Sequence, residues 1–179
     1  MMELFRKKYD IKLPKSQHET EEFPSGKGLV MCENCKAVRY KKHWHHNLER
    51  LNLAETLNIS AKDVGVKFEL CPACLMIKNR QYEGRVKIKN VLQNAGIRLD
   101  EIIKEFGEGA YRRDPMHRII GVEKNKLEWT VTMTENQLAN KLAKKIKDVF
   151  PEVQTKTHFA GEGSDVAETV VEFSSERKK

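Results

Sequence analysis

The chain has 179 residues, with 33 lysines and arginines against 26 acidic residues, a net charge of +7 and a mean hydropathy of −0.64. That length suits one ordinary domain or two small ones, each with a modest apolar core. No apolar run approaches the ~18 residues of a membrane span. The opening stretch MMELFRKKYDIKLPK lacks the apolar region of a secretory signal, so the expected setting is the cytoplasm.

The charge is unevenly spread. Residues 1–90 hold 18 basic and 11 acidic side chains, whereas residues 91–179 hold 15 of each. Within the first half, residues 27–90 alone hold 13 basic and 6 acidic side chains. An excess so localised points to a surface that meets polyanions, or more simply to a solvated basic face.

Residues 1–27 combine charges with Pro14, Pro24, Ser25 and Gly26 and show no periodicity, which predicts a flexible N-terminal arm. Residues 28–90 carry all four cysteines in two pairs, Cys32-Glu-Asn-Cys35 and Cys71-Pro-Ala-Cys74. Tetrahedral zinc takes four thiolates, and two close pairs supply them at little loop entropy. Pro72 suits the first turn of a helix, and a helix N-terminus favours thiolates. A first pair on a knuckle and a second pair opening a helix make a treble-clef-like or ribbon-like four-cysteine zinc module. The metal ligands are Cys32, Cys35, Cys71 and Cys74, and the zinc is structural. A dithiol redox pair or an iron–sulfur cluster can use the same residues.

Between the pairs, Leu48, Leu51, Ala54 and Leu57 fall on one helical face. His43, His45 and His46 flank Trp44, and any of these imidazoles is able to replace a cysteine, although four thiolates already fill the tetrahedron. The run Arg39-Tyr40-Lys41-Lys42-His43-Trp44-His45-His46 mixes cations with aromatic faces, a mixture that contacts phosphates and stacks on bases, or equally forms a strand with Trp44 in the core. The segment leaving the module is strand-like: Val86 and Ile88 alternate with Arg85, Lys87 and Lys89. Its cationic face contacts phosphate or protects a sheet edge.

Residues 91–173 read as a small α+β layer. A helix is expected over 97–106, with Leu99, Ile102, Ile103 and Phe106 inward, ended by Gly107 and Gly109. Tyr111 to Arg118 reads as a basic connection, in which His117 is the best lone candidate for chemistry and more simply a structural residue. Leu127, Trp129, Val131 and Met133 alternate as a half-buried strand. Thr134 and Gln137 have the spacing of a capping box for a helix whose inner face is Leu138, Leu142, Ile146 and Val149, stopped by Pro151. Strands over Val153–Phe159 and Val166–Phe173 follow, joined by a Gly161-Glu162-Gly163-Ser164 turn. The expected layer is a mostly antiparallel sheet under one helix, and residues 174–179 are a frayed tail. Phosphate-binding glycine loops and nucleophile elbows are absent, and no acidic pair has a spacing suited to acid/base work.

The two cysteine pairs, the Tyr82-Glu83-Gly84 exit with its Val86/Ile88 strand, and the Thr134–Phe150 helix opening Thr-Glu-Asn-Gln-Leu-Ala make the chain similar to a known family. It resembles the NMD-type adaptors of large-ribosomal-subunit export and their shorter prokaryotic relatives, over roughly residues 29–173. The short relatives also share the Pro115-Met116-His117-Arg118-Ile119 turn and a tryptophan near the first pair. The resemblance implies a zinc-stabilised module that docks on ribosomal RNA or ribosomal proteins without catalysis. The adaptors carry further cysteine pairs, further β-rich domains and a signal-bearing tail that this chain lacks, so export activity does not carry over. The expected function is therefore non-catalytic RNA or ribosome binding. Lys36, Arg39, Lys41, Lys42, Arg85, Lys87 and Lys89 would contact phosphates, and Tyr40 or Trp44 would stack. The other classes to weigh are a thiol oxidoreductase or zinc enzyme, and a protein-interaction module with structural zinc.

Overall fold

The computed structural model describes residues 28–40, 42–46, 65–159 and 166–174. Among them are three helices and two mixed sheets, an α+β architecture. The first sheet comprises β1 (Gly28–Cys32), β2 (Val38–Tyr40), β3 (His43–His45) and β4 (Gly65–Glu69), in the order β3-β2-β1-β4. The β1–β2 and β2–β3 pairings are antiparallel, and β4 joins β1 in parallel. Helix α1 (Pro72–Asn79) follows directly from β4.

The second sheet comprises β5 (Gly84–Lys89), β6 (Ile119–Lys124), β7 (Glu128–Met133), β8 (Val153–Phe159) and β9 (Ala167–Phe173), in the order β6-β7-β5-β9-β8. Only the central β5–β9 pair is parallel. The strand that leaves the cysteine unit is thus a central strand of this sheet. Its Val86 and Ile88 lie in register with Val131 and Trp129 on β7, and with Thr169 and Val171 on β9. Their shared face is covered by α2 (Gly96–Arg113) and α3 (Asn136–Val149), which bury Leu99, Ile102, Ile103 and Phe106, and Leu138, Leu142 and Ile146. Each such side chain contributes about 1.5–3 kcal/mol by leaving water.

Several expectations hold. The strand Val153–Phe159 has the expected ends, β9 begins one residue late, and Pro72 opens a helix. Others are corrected. The helix expected over 97–106 runs on to Arg113, because its apolar face continues through Ala110. Gly107 is retained within it because Ile119 packs there: a Cβ would stand 2.9 Å from its Cδ1. Two helices, not one, cover the sheet, and β6 is an additional edge strand. Thr134 does not cap α3. Glu135 occupies that position, while the Thr134 hydroxyl donates to the Met116 carbonyl (2.8 Å) and accepts from the Arg118 N–H (3.0 Å). Leu127 and Val149, expected inward, are exposed, because each sits where its element ends and the opposing layer no longer covers it.

Gly84 has a positional role. A Cβ there would collide with the Glu135 carbonyl, so glycine lets the start of α3 sit directly on β5. The arm over 1–27, the helix expected around Leu48–Leu57, Lys41, the 161–164 turn and residues 175–179 lie outside the described residues. Ser174, assigned to the tail, donates its hydroxyl to the Glu152 carbonyl at 2.8 Å. No helix among the described residues is long and apolar enough to cross a membrane.

Candidate metal centre

The four cysteines converge. Cys32 ends β1, Cys35 lies in the turn to β2, and Cys71 and Cys74 open α1. The Sγ atoms all lie within 4.8 Å of one another, so the cluster can hold a metal ion. A tetrahedral ion with metal–sulfur bonds of about 2.3 Å would need sulfurs about 3.8 Å apart. The Cys35–Cys71 pair stands at 3.6 Å, close to that spacing and far from the ~2.05 Å of a disulfide bond.

The backbone is arranged to favour sulfur as an acceptor. A tight turn brings the Cys32 N–H to the Ala37 carbonyl (2.7 Å) and the Lys36 N–H to the Cys32 carbonyl (3.0 Å), with Lys36 in the left-handed region at φ 62°. That turn aims the Cys35 N–H at the Cys32 sulfur (3.5 Å), and the Cys71 N–H reaches the same sulfur at 3.3 Å. In the second pair Cys71 caps α1, its sulfur accepting from the Cys74 N–H at 3.4 Å. The Asn34 side-chain amide donates to Cys74 Sγ at 3.5 Å.

Burial and donors act in opposite directions on the thiols. Burial pushes Cys32 up, but the N–H donors of Cys35, Cys71 and Asn34 outweigh it and leave the thiol lowered to about 6. Burial dominates at Cys71 and Cys74, whose thiols are both raised. Ala37 and Ala73 are buried with the sulfurs, and Trp44, Leu70 and Met116 pack over them. The histidines stand apart. Among the described residues only the four cysteines form a group that could hold a metal ion. His43 is exposed, and His46 stacks edge-on against Tyr111 with ring centres 4.6 Å apart.

The expected nucleic-acid residues fall into two sets. Arg39, Tyr40, Lys42 and Trp44 lie on the β2–β3 hairpin, next to Lys36. The Arg39 guanidinium sits 5.8 Å from the Trp44 ring centre and pairs with Glu69 at 3.3 Å. Lys36 Nζ donates to the Glu33 carbonyl at 2.8 Å. Lys42 is exposed at φ 72°. Half-buried Trp44 therefore joins the cysteine core.

Arg85, Lys87 and Lys89 lie on the other sheet. Arg85 and Lys87 both pair with Glu168 on β9, the lysine at 3.2 Å, and Lys89 remains exposed. Glu168 is buried, which pushes its carboxyl up, yet Arg85 and Lys87 hold it below its ordinary value overall. His117 is half-buried and holds Glu135 at 3.1 Å across the connection to α3.

Sequence reading misses Asn34, Leu70 and Met116 as neighbours of the sulfurs. The only cue was the position of Asn34 between two cysteines. Met116 reaches the cluster from forty-odd residues downstream, which no local pattern announces. Comparison with models of protein families gives no match to the chain, and comparison with curated proteins gives none.

Proposed function

We propose that the chain is a non-catalytic RNA-binding protein, with ribosomal RNA as its target class, and that its cysteines hold one structural zinc. The knuckle turn at Cys32–Cys35 and the helix opened by Cys71 support a treble-clef-like arrangement. Four thiol ligands complete a tetrahedron, so no position remains for a substrate. The convergence of all four sulfurs within 4.8 Å of one another favours one shared metal over two separate dithiols. The resemblance to NMD-type adaptors, carried by the two cysteine pairs and the Tyr82-Glu83-Gly84 exit, supports the ribosome as the place of binding.

One observation carries the RNA reading. Among the described residues four non-glycine residues have positive φ: Lys36 (62°), Lys42 (72°), Arg80 (53°) and Asn90 (56°). Three of them are cations, and all three lie on turns of the cysteine unit. Left-handed positions favour glycine or asparagine, and other residues there cost on the order of 1 kcal/mol. A lysine or arginine at each tight turn is disfavoured by the backbone, and its value lies in the charge presented at the turn. Arg80 adds to the cations expected from sequence.

The test is binding of the zinc-loaded chain to ribosomal RNA fragments and to ribosomes over a salt series. Affinity should fall as salt rises, because each neutralised phosphate releases counterions. The combined substitution of Lys36, Lys42 and Arg80 by alanine should weaken binding and flatten that dependence. Absence of the protein from ribosomal fractions at low salt, with no affinity for RNA fragments, refutes the proposal.

A further inference from the structure

The two helices that cover the second sheet leave an open groove of about 560 Å³ between them. On the α2 side it is lined by Glu105, Phe106, Gly109, Arg112 and Arg113, and on the α3 side by Lys141 and Lys145. Four cations thus face one carboxylate. Glu105 is already shared by Lys145 (3.7 Å) and Arg98 (3.9 Å), and Arg112 lies 3.7 Å from Glu108. Arg113 and Lys141 are exposed and have no ion pair among the described residues. Arg112 and Arg113 complement the negative end of the α2 dipole. That reason does not extend to Lys141, in the middle of α3.

Gly109 adds an independent observation. Glycine inside a helix is disfavoured relative to alanine. Gly107 is accounted for by the contact with Ile119, but a Cβ on Gly109 would meet only the Arg112 side chain, at 3.8 Å. Among the described residues nothing requires glycine at 109. It lines the groove, where a missing side chain lets another molecule approach the helix backbone.

We infer that the α2–α3 groove binds the phosphodiester backbone of an RNA strand, as a second contact surface distinct from the cysteine unit. Taking RNA as the polyanion rests on the function proposed above. The groove is open, and its cations are spread along two helices rather than focused on one point. That arrangement suits a strand tracked by its charge more than a small phosphate compound gripped in a pocket.

The experiment measures binding of a labelled single-stranded RNA to the zinc-loaded chain over a salt series, for the wild type and three variants. Arg113→Glu with Lys141→Glu changes two exposed positions. It should weaken binding at least tenfold and reduce the salt slope by about 1.4, at ~0.7 per single-strand phosphate contact. Gly109→Leu fills the groove without altering charge and should weaken binding several-fold. The third variant replaces Lys36, Lys42 and Arg80 by alanine. A single cooperative thermal transition, well above the temperature of the binding assay, shows that the groove variants remain folded. Wild-type affinity and slope in the charge-reversal variant overturn the groove, even where the cysteine-unit variant loses binding. Tighter binding of inorganic pyrophosphate than of RNA also overturns it. No binding by the wild type at low salt refutes the proposed function as well.

Discussion

Removal of the proposed zinc should unfold the cysteine unit and leave the second sheet standing. The core of the cysteine unit is small: among the described residues Ala37 and Ala73 are buried with the cysteines, Trp44, Leu70 and Met116 are half-covered, and Val30, Val38 and Met76 are buried elsewhere in the unit. The two alanine methyls are worth about 0.8 kcal/mol each, and Val30, Val38 and Met76 about 1.5–3 kcal/mol each, which does not offset the cost of ordering the unit without a metal. A structural zinc supplies about 10–16 kcal/mol at neutral pH. By contrast, the second unit buries Ile88, Leu99, Ile102, Ile103, Leu138, Leu142, Ile146 and Phe173 in one continuous core that contains no cysteine. Its direct stake in the metal is Met116, whose partial burial is worth about 1 kcal/mol, or roughly 4–8 °C in Tm. The chain has two tryptophans, one in each unit. Trp44 packs on the cysteine cluster and Trp129 lies in the sheet core. Trp129→Phe leaves Trp44 as the reporter, and Trp44→Phe leaves Trp129. On titration of zinc-loaded protein with a strong chelator, Trp44 emission should shift to the red while Trp129 emission stays. Trp44 emission unmoved once all metal is released, or both reporters moving together at one chelator concentration, would refute this independence of the two units.

Replacing Asn34 by alanine removes the amide that donates to Cys74 and should lower zinc affinity about tenfold, read by competition with a coloured chelator. Glu168→Gln should cost about 2 kcal/mol in urea unfolding, since Arg85 and Lys87 keep their charges but are themselves a quarter to a third exposed. Because the Glu168 carboxyl is held below its ordinary value of 4.5, its contribution is complete above that value and lost as pH falls through the lower, folded one. The Gln variant should therefore show a flatter acid limb. Gly84→Ala drives a Cβ into the Glu135 carbonyl and should cost 3 kcal/mol or roughly more, whereas Gly109→Ala meets no obstruction and should stabilise by about 1 kcal/mol. Thr134→Val strips a hydroxyl that satisfies both Met116 and Arg118. It should cost about 1–3 kcal/mol and hasten zinc release, because the turn it holds carries Met116 onto the sulfurs.

The cluster itself was legible because paired cysteines leave few uses, and Pro72 marked a helix start at the second pair. The strands and α3 were legible where side chains alternate or recur every turn, as at Val86/Ile88 and Leu138/Leu142/Ile146. What could not be read locally was whatever a distant partner decides. Gly107 looks like a stop signal until Ile119 is seen packed against it, after which it is a packing residue within a longer helix. The Thr134 and Gln137 spacing fits a capping box, yet the hydroxyl is taken by a turn sixteen and eighteen residues upstream. Arg85 and Lys87 read as a free cationic row because Glu168, their partner, lies some eighty residues away and joins only through the parallel β5–β9 pairing.

That last pairing alters the meaning of the charge distribution. Net charge is a sum along the sequence, whereas a ligand meets charges that the fold has sorted. Residues 27–90 carry the whole excess of +7. Yet Arg39 is matched by Glu69, and Arg85 and Lys87 by a carboxylate that belongs to the neutral half. In residues 91–179 the acids are also engaged: Asp100 with Lys104 and Lys124, Glu101 with Arg98, and Glu168 beneath β5. Glu168 is drawn to cations of the other half, and among the described residues Arg113 and Lys141 have no ion pair, so a half that sums to zero still presents cations in the groove that these two line with Arg112 and Lys145. Net charge by halves therefore does not locate the cations: the described residues present them in the α2–α3 groove as well as on the turns of the cysteine unit.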